Sequence, residues 1–485
     1  MFQMIGKHGL KTIYLLLLLS IVVTTTRAET SGQECGLSHP RLSKVINARC
    51  YDWKLPLDYS QPEGKRIGLH LAVIPAKGKN PLPDPLFFFA GGPGQSAVDT
   101  ALLMWPVFSK IVTQRDIVLI DQRGTGDSTP LDCPSDEQLV MIADSRQLVQ
   151  HTQECLDSLH QDVRYFTSRQ AVQDVEYVRN KLSYEQINVM GVSYGTRMAQ
   201  LVLREYPQRV RSIVLDGVIP LETVVGVDMA DNLQQSIQKL LFDCSTDAAC
   251  KQAFPDLHQE WQAYLELPLE EQRDISLMHP RSGEMLNLQV SRESLDIALR
   301  LLSYSSENRS LLPLLLHTTA RGDWAPMLKQ ALLVAVSLEG EMSEGMHNSV
   351  VCTEDVPFFR DLPKKSKRVM GQFPQQLEKI CEGWPKGKSY ADIHQPLQSA
   401  VPALILSGEV DPVTPVTYGE LALKQFSKGR HLVVPGQGHN VSPRGCVPRL
   451  VADFIEDLQL TEEQTTCVQD TAQLPYFIDM QGPSS

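Results

Sequence analysis

The stretch Gly191-Val192-Ser193-Tyr194-Gly195 decides the fold, because it places a serine between two glycines at the junction of a strand and a helix. An apolar run, residues 187–190, comes directly before it, and a helical pattern, residues 196–205, follows. This order of strand, tight turn and helix is typical of a nucleophile elbow, whose serine takes strained dihedral angles. The flanking glycines let neighbouring main chains pass close by, since they have no Cβ. The pattern predicts that Ser193 is a nucleophile.

Short apolar runs on either side of the elbow predict the rest of the sheet. They lack alternation, which is typical of strands buried on both faces of a parallel sheet. The runs are residues 86–90, 117–120, 187–190, 213–215, 403–406 and 431–434. Helical patterns lie between them, for example at residues 171–182, and this βαβ order favours an open α/β sheet. Residues 53–74 alternate instead, which predicts a leading antiparallel hairpin.

Residues 218–395 interrupt the strand pattern with apolar residues at helical spacing. Examples are Leu233, Ile237, Leu240 and Leu241, then Leu295, Leu299 and Leu302. The prediction is an α/β-hydrolase fold with a core at residues 29–217 and 396–485. A largely helical cap domain, residues 218–395, is inserted between the core strands.

Composition excludes several classes of protein. Of 485 residues, 42% are hydrophobic and 21% are charged, which is a globular balance rather than a disordered or coiled-coil one. Lys and Arg number 45 against 57 Asp and Glu, a net charge of −12. Nucleic acid is therefore not an expected partner, and an anionic membrane surface is disfavoured for the same reason.

The first 28 residues are typical of a secretory signal. Lys7 and Lys11 precede an apolar run of ten, residues 14–23, and Ala28 ends the segment with a small residue. Such a run is too short to span a bilayer, which takes about 20 residues. We expect cleavage after residue 28, export to the periplasm or the medium, and no stable membrane anchor afterwards.

The ten cysteines fit an exported protein, because none forms the C-x-x-C pair that zinc sites usually contain. No metal site is expected. Sequence alone leaves the connectivity open, but the cysteines fall into five close consecutive pairs, and this is the pairing we favour. The pairs are Cys35 with Cys50, Cys133 with Cys155, Cys244 with Cys250, Cys352 with Cys381, and Cys446 with Cys467.

A serine nucleophile needs a base oriented by an acid, and α/β-hydrolases place them in the order Ser, acid, His. Asp411 follows the predicted strand 403–406, and His439 follows the strand 431–434 in a glycine-rich turn. The rival base His431 starts its strand and would lie at the wrong end of the sheet. The rival acid Asp216 also ends a strand; we interpret it as a turn or helix-capping residue.

Acyl transfer develops an oxyanion, which backbone N–H groups must bind. The amide of Tyr194, directly after the nucleophile, is the first predicted donor. The second is Gly92, in the glycine loop Gly91-Gly92-Pro93-Gly94 that follows the buried strand 86–90.

The glycine loop, the elbow and Asp121-Gln122-Arg123-Gly124-Thr125-Gly126-Asp127-Ser128 together resemble the prolyl aminopeptidase and tripeptidyl aminopeptidase family of α/β-hydrolases. Asp58-Tyr59-Ser60-Gln61-Pro62 and Asp411-Pro412-Val413-Thr414-Pro415, with His439 and Cys446, are similar to the secreted tripeptidyl branch. Ala90 stands where the prolyl branch often has His. This departure weakens transfer of the prolyl specificity, but it leaves the backbone oxyanion role unchanged.

The resemblance implies a serine exopeptidase whose cap binds the free amino end of a short peptide. An ammonium group held away from water needs a carboxylate partner. Glu354, with Asp355 second, is the candidate for this role, and the alternative is a solvated acidic pair. Asp121, Gln122 and Arg123 are expected to stabilise the sheet edge and the glycine loop rather than to contact substrate.

The hypothesis is thus an exported, cofactor-free serine exopeptidase that acts on short peptides. The alternative keeps the same triad but hydrolyses small-molecule esters or amides. A third hypothesis is a non-catalytic binding protein on a hydrolase scaffold, which the complete triad disfavours. The sequence leaves the oligomeric state open.

Overall fold

The structure is a computed structural model that describes residues 32–134, 145–269, 271–338, 340–360, 368–390, 392–471 and 473–483. The predicted signal segment, residues 1–28, lies outside these ranges. Within them, no helix combines the length and the apolar character that crossing a membrane requires.

A mixed sheet of nine strands forms the centre of the described chain. Its strands are β1 (Gln33–Leu37), β2 (Ile46–Pro56), β3 (Arg66–Ile74), β4 (Leu86–Phe89), β5 (Ile117–Ile120), β6 (Ile187–Val192), β7 (Val210–Asp216), β10 (Ala403–Gly408) and β11 (Gly429–Val434). The spatial order is β1-β2-β3-β5-β4-β6-β7-β10-β11. The pairs β1 with β2, β2 with β3, and β3 with β5 are antiparallel. The other five neighbouring pairs are parallel. The predicted leading hairpin and the parallel strands are therefore confirmed.

Burial on both faces explains the unalternated apolar runs. In β4, Phe87 and Phe89 pack into one hydrophobic cluster, while Leu86 and Phe88 pack into the cluster on the opposite face of the sheet. Successive side chains of a strand point to opposite faces, so both faces of this strand must be apolar.

Helices cover both faces and fill the connections between strands. They are α1 (Ala97–Leu103), α2 (Trp105–Ile111), α3 (Ser145–Ser158), α4 (Ser168–Lys181), α5 (Tyr194–Glu205), α6 (Met229–Thr246), α7 (Ala248–Ala253), α8 (Leu257–Leu265), α9 (Arg292–Ser303), α10 (Ser306–Arg309), α11 (Leu312–Ala320), α12 (Ala325–Leu338), α13 (Glu344–Glu354), α14 (Phe373–Gly383), α15 (Val416–Leu423), α16 (Val447–Asp457) and α17 (Glu462–Thr465). Short 3₁₀ helices span Val163–Tyr165, Pro207–Arg209, Val356–Phe358 and Thr466–Asp470. Two more strands, β12 (Phe477–Asp479) and β13 (Gly482–Pro483), pair near the C-terminus.

The segment between β7 and β10, which we call the insert, holds helices α6 to α14, and most of its buried apolar residues form one hydrophobic cluster, which Tyr476 also joins. It also contains an antiparallel hairpin of β8 (Gln272–Met278) and β9 (Met285–Ser291), which the helical expectation missed. The hairpin lies mostly at the surface, and within β8 only Leu277 is buried, so its apolar signal is weak. The boundaries at residues 218 and 395 remain a prediction.

Five disulfides join the consecutive cysteines, as the sequence favoured. They are Cys35–Cys50, Cys133–Cys155, Cys244–Cys250, Cys352–Cys381 and Cys446–Cys467. The described residues contain no free cysteine.

Asp121 and Arg123 both have buried hydrogen-bond partners within the core. Asp121 accepts hydrogen bonds from Ser96 Oγ (2.9 Å) and the Val98 amide (3.2 Å), at the start of α1 behind the glycine loop. Arg123 forms two hydrogen bonds of 2.7 Å with Asp174 on α4. Neither Asp121 nor Arg123 is exposed, so both serve the packing of the core.

At the opposite end of the sheet from the elbow, we expect Asp84→Ala to destabilise the protein by roughly 3 kcal/mol, since it leaves polar partners buried. Asp84 accepts from Arg115 Nε (3.0 Å) and Asn188 Nδ2 (2.9 Å). The measurement is the free energy of unfolding in urea with the disulfides intact. The control is Glu185→Ala: Glu185 is 86% exposed and pairs with Arg209, so its loss should cost no more than about 1 kcal/mol. Equal losses for the two variants would contradict the prediction.

Candidate active site

Ser193 lies in the turn between β6 and α5 with φ 53° and ψ −124°. A positive φ is unfavourable for a residue with a Cβ and marks a strained turn. The Ser193 amide donates to the Asp216 carbonyl at 2.9 Å, and the Ser193 carbonyl accepts from Thr196 Oγ1 at 2.6 Å. These bonds tie the nucleophile to the end of β7 and to the first turn of α5.

The two glycines of the elbow are required by close approaches of main chain. A Cβ on Gly191 would lie 2.1 Å from the Gly195 carbonyl oxygen. A Cβ on Gly195 would lie 2.1 Å from the carbonyl oxygen of Phe89 at the end of β4. No side chain fits at either position, which explains the G-x-S-x-G pattern.

Asp411 and His439 are brought together from two loops at the same edge of the sheet. His439 Nδ1 lies 2.8 Å from Asp411 Oδ2. The other oxygen of Asp411 accepts the amides of Val413 (2.8 Å) and Thr414 (3.0 Å). This pair has the geometry of a base oriented by an acid.

The charges of this pair shift each other's pKa in opposite directions. Burial alone would raise the pKa of Asp411, but the adjacent His439 and the hydrogen bonds from Thr414 hold it below its usual value. Burial alone would lower the pKa of His439, but the Asp411 carboxylate raises it above 6.5. The attraction therefore outweighs the desolvation of both groups.

Ser193 and His439 approach the same short segment, Asp216–Gly217. Ser193 bonds to the Asp216 carbonyl, and a Cβ on Gly217 would lie 3.0 Å from His439 Cε1. No hydrogen bond joins Ser193 Oγ to His439 among the described contacts. Catalytic hydrogen bonds are often long without substrate and tighten in the complex.

The two rival residues have other partners. His431 lies on β11 with Nε2 2.9 Å from Ser407 Oγ. Asp216 is fully buried, and its two oxygens accept the amides of Val441 (2.9 Å) and Ser442 (2.8 Å), just after His439. The interpretation of Asp216 as a turn or helix cap therefore needs correction. It holds the loop that carries the base.

The predicted oxyanion donors lie beside the nucleophile. A Cβ on Gly91 would lie 3.1 Å from Ser193 Cβ, so the glycine loop passes directly against the elbow. Gly92 has φ 106°, a conformation that favours glycine, and precedes a cis peptide bond to Pro93. Among the described hydrogen bonds, neither the Gly92 amide nor the Tyr194 amide has a partner. This is compatible with the predicted role of both N–H groups as oxyanion donors.

Glu354 and Asp355, the predicted amino-group ligands, have internal partners instead. Glu354 accepts from the Ser168 amide (2.7 Å) and from Ser168 Oγ (2.5 Å). Asp355 binds Arg197 at 2.9 and 3.0 Å. The two acids are only 3% and 1% exposed, so they are not the solvated acidic pair of the alternative. Their role towards an ammonium group stays a prediction.

Two neighbours of the catalytic pair escaped the sequence analysis. Thr414 Oγ1 donates to Asp411 Oδ2 at 2.7 Å and lies 3.2 Å from His439 Nδ1. The backbone carbonyl of Tyr304, from the insert, accepts a hydrogen bond from the His439 amide at 2.8 Å. The ring of Tyr304 also lies edge-on to the imidazole. Thr414 lies in the quoted motif after Asp411, which was the one available signal; Tyr304 had none.

Replacing Asp411 tests the assignment of the acid. We expect Asp411→Asn to lower kcat by about 10⁴-fold, because an amide in this position favours the wrong tautomer of His439. The measurement is turnover of an activated ester. His431→Gln, which changes the rejected base, should stay within about threefold of the unmodified protein, because it touches no reacting group. Unchanged activity in Asp411→Asn would exclude Asp411 as the acid.

The raised pKa of His439 predicts the pH dependence. Since the base must be neutral, kcat/KM should be full above this pKa and should fall as the pH drops through it, with a midpoint above 6.5. In Asp411→Asn, burial acts without the carboxylate, so the residual activity should lose its acid limb at a lower pH. A pH profile with an uncharged ester measures both midpoints. An unmoved midpoint would contradict the assignment.

Comparisons with known proteins agree with this geometry. The α/β hydrolase fold family matches residues 84–265, and the TAP-like protein family matches residues 367–467. The YuaR protein of Escherichia coli K12 is 24% identical over 432 residues, which is 81% of both chains. Serine protease Hip1 of Mycobacterium tuberculosis H37Rv is 28% identical over 44% of this chain and 45% of its own length. Tripeptidyl aminopeptidase of Streptomyces coelicolor is 27% identical over 40% of this chain and 38% of its own length.

The matches to the last two relatives span less than half of each relative's length. The two family matches nevertheless follow one another along this chain, the first across Ser193 and the second across Asp411 and His439. The resemblance to the prolyl and tripeptidyl aminopeptidase family is thereby confirmed. The chain thus contains an α/β-hydrolase region followed by a TAP-like C-terminal region, and it is a serine hydrolase.

Proposed function

We propose that the protein is an exported serine exopeptidase that cleaves short peptides from a free N-terminus. The observation that carries the hydrolytic chemistry is the Asp411–His439 pair beside Ser193, with two unpartnered amides next to the nucleophile. The peptidase class is supported by two relatives, named a serine protease and a tripeptidyl aminopeptidase. Export is supported by five disulfides.

In the first half-reaction, Ser193 Oγ forms a bond to the scissile carbonyl carbon while His439 takes its proton. The amides of Tyr194 and Gly92 bind the oxyanion. Collapse breaks the C–N bond, and His439 passes the proton to the leaving amine. Water then repeats the sequence on the acyl-enzyme, with His439 as the base, and releases the new carboxyl end. Asp411 keeps the imidazole in the required tautomer throughout.

The substrate we propose is a short peptide with small or proline-like residues near the cleaved bond. Its free amino group would require an anionic partner in the site. Glu354 and Asp355 already have internal partners, so recognition of the amino end is supported by the relative named a tripeptidyl aminopeptidase.

The test compares an Ala/Pro-containing tripeptide fluorogenic amide with its N-acetylated form, using residues 29–485. We expect hydrolysis of the free peptide and a loss of activity on acetylation, because the ammonium group contributes to binding. Equal rates would refute the exopeptidase and favour the esterase or amidase.

Ser193→Ala provides the matched blank for this assay. We expect it to lower turnover by on the order of 10⁶-fold, as removal of a triad serine does. Ser282→Ala, at the exposed tip of the β8–β9 hairpin, should leave turnover unchanged. Activity retained by Ser193→Ala would refute the serine mechanism itself, whatever the acetylated peptide shows.

A further inference from the structure

The C-terminal end of helix α13 is joined to the nucleophile helix by a chain of buried hydrogen bonds. Glu354 accepts from the amide and the hydroxyl of Ser168, the first residue of α4. Ser168 Oγ lies 2.7 Å from the hydroxyl of Tyr194. Tyr194 is the first residue of α5, and its amide is the predicted oxyanion donor. The Glu354 carboxylate of the insert is thus linked, through the hydroxyl of Ser168, to the side chain of the residue that carries this amide.

A second contact fixes the same turn of α5. Asp355 binds Arg197, three residues after Tyr194, through two hydrogen bonds, and it also accepts the Val225 amide at 2.8 Å. Arg197 is thus paired with Asp355, while the hydrogen bonds to Glu354 come from a neutral donor, Ser168. Burial raises the pKa of Glu354 to about 7, although the Ser168 hydrogen bonds and the nearby charge of Arg197 act to lower it.

The segment at the N-terminal end of α13 contacts the glycine loop that carries the other predicted donor. The Ser343 amide donates to the Gly94 carbonyl at 2.9 Å, and Met342 forms a β-bridge with Gln95. One turn into the helix, burial lowers the pKa of His347, and the neighbouring Pro93 carbonyl acts to raise it. These contacts hold the glycine loop directly after Gly92.

We propose that helix α13 sets the geometry of the oxyanion hole from both sides, and that Glu354 is a positioning residue acting through Ser168 and Tyr194, not a ligand of the substrate. The inference rests on the proposed serine hydrolase chemistry and assigns Glu354 a different role from the predicted one. Oxyanion stabilisation depends on donors held about 3 Å from the developing charge, so small displacements of the Tyr194 amide lower kcat.

Three variants separate positioning from substrate binding. Glu354→Ala removes the acceptor of Ser168, and Tyr194→Phe keeps the oxyanion amide but removes the hydroxyl. Glu354→Gln restores the contacts, because its carbonyl accepts from the Ser168 amide and its NH2 donates to Ser168 Oγ. The assays use p-nitrophenyl acetate, which has no amino group, and the free tripeptide amide. Titration with a fluorophosphonate counts the active sites, so kcat refers to folded enzyme.

We expect Glu354→Ala to lower kcat by about 10- to 100-fold on both substrates with little change in KM, since a misplaced donor costs less than a missing one. Tyr194→Phe should give a similar loss, and the double variant should lose no more than either single one, because the residues act in one chain. Glu354→Gln should keep kcat within about threefold, since its side chain keeps both contacts with Ser168, with only the bond to Ser168 Oγ reversed in direction.

Two outcomes would overturn the proposal. A rise in KM confined to the tripeptide amide, with the ester unaffected, would make Glu354 a ligand of the amino group. Unchanged kcat per titrated site, with only a lower free energy of unfolding, would make it a structural residue. Asp84→Ala is the stability control, because it destabilises the far end of the sheet and should leave kcat per site intact. Failure of the proposed function would appear instead as full activity in Ser193→Ala.

Discussion

Three segments of main chain meet at Ser193 more closely than any side chain permits, and the rest of the site depends on this contact. The end of β4, the turn after β6 and the first turn of α5 pack together only because Gly191 and Gly195 have no Cβ. Since β4 runs directly into the glycine loop, the same packing that strains Ser193 also brings Gly91, the neighbour of the predicted oxyanion donor Gly92, against it. The positive φ of Ser193 lowers the stability of the fold by on the order of 1–3 kcal/mol, which the surrounding hydrogen bonds must offset.

Asp216 connects this turn to the base. Its carbonyl accepts a hydrogen bond from the Ser193 amide. Its carboxylate accepts the amides of Val441 and Ser442, which lie two and three residues after His439. A buried carboxylate without a cation is unfavourable, and burial raises the pKa of Asp216 accordingly. The two backbone amides stabilise the buried Asp216 carboxylate. Asp411, in contrast, pairs with the imidazole of His439. Two buried aspartates at the ends of neighbouring strands thus take different roles because their hydrogen-bond donors differ.

The sequence predicted what is local. The elbow, the unalternated strands and the order of Ser193, Asp411 and His439 each follow from a few adjacent residues. The β8–β9 hairpin was missed because it buries little apolar surface. The partners of Glu354 could not be predicted, because Ser168 lies 186 positions away along the chain and no local pattern encodes that contact. A pair of adjacent acids looks the same in sequence whether solvent, a substrate or a buried hydroxyl faces it.

The insert contacts nearly every part of the catalytic machinery. Tyr304 accepts the His439 amide, and Ser236 Oγ donates to the Val410 carbonyl (2.9 Å) beside Asp411. The ends of α13 hold the glycine loop and the start of α5. Ser193 itself is fixed by the sheet, through the Asp216 carbonyl. A displacement of the whole insert would therefore break hydrogen bonds to the loop of Asp411, to the loop of His439 and to the glycine loop together. The insert thus helps to assemble the site, so its sequence is constrained by the geometry of the catalytic residues.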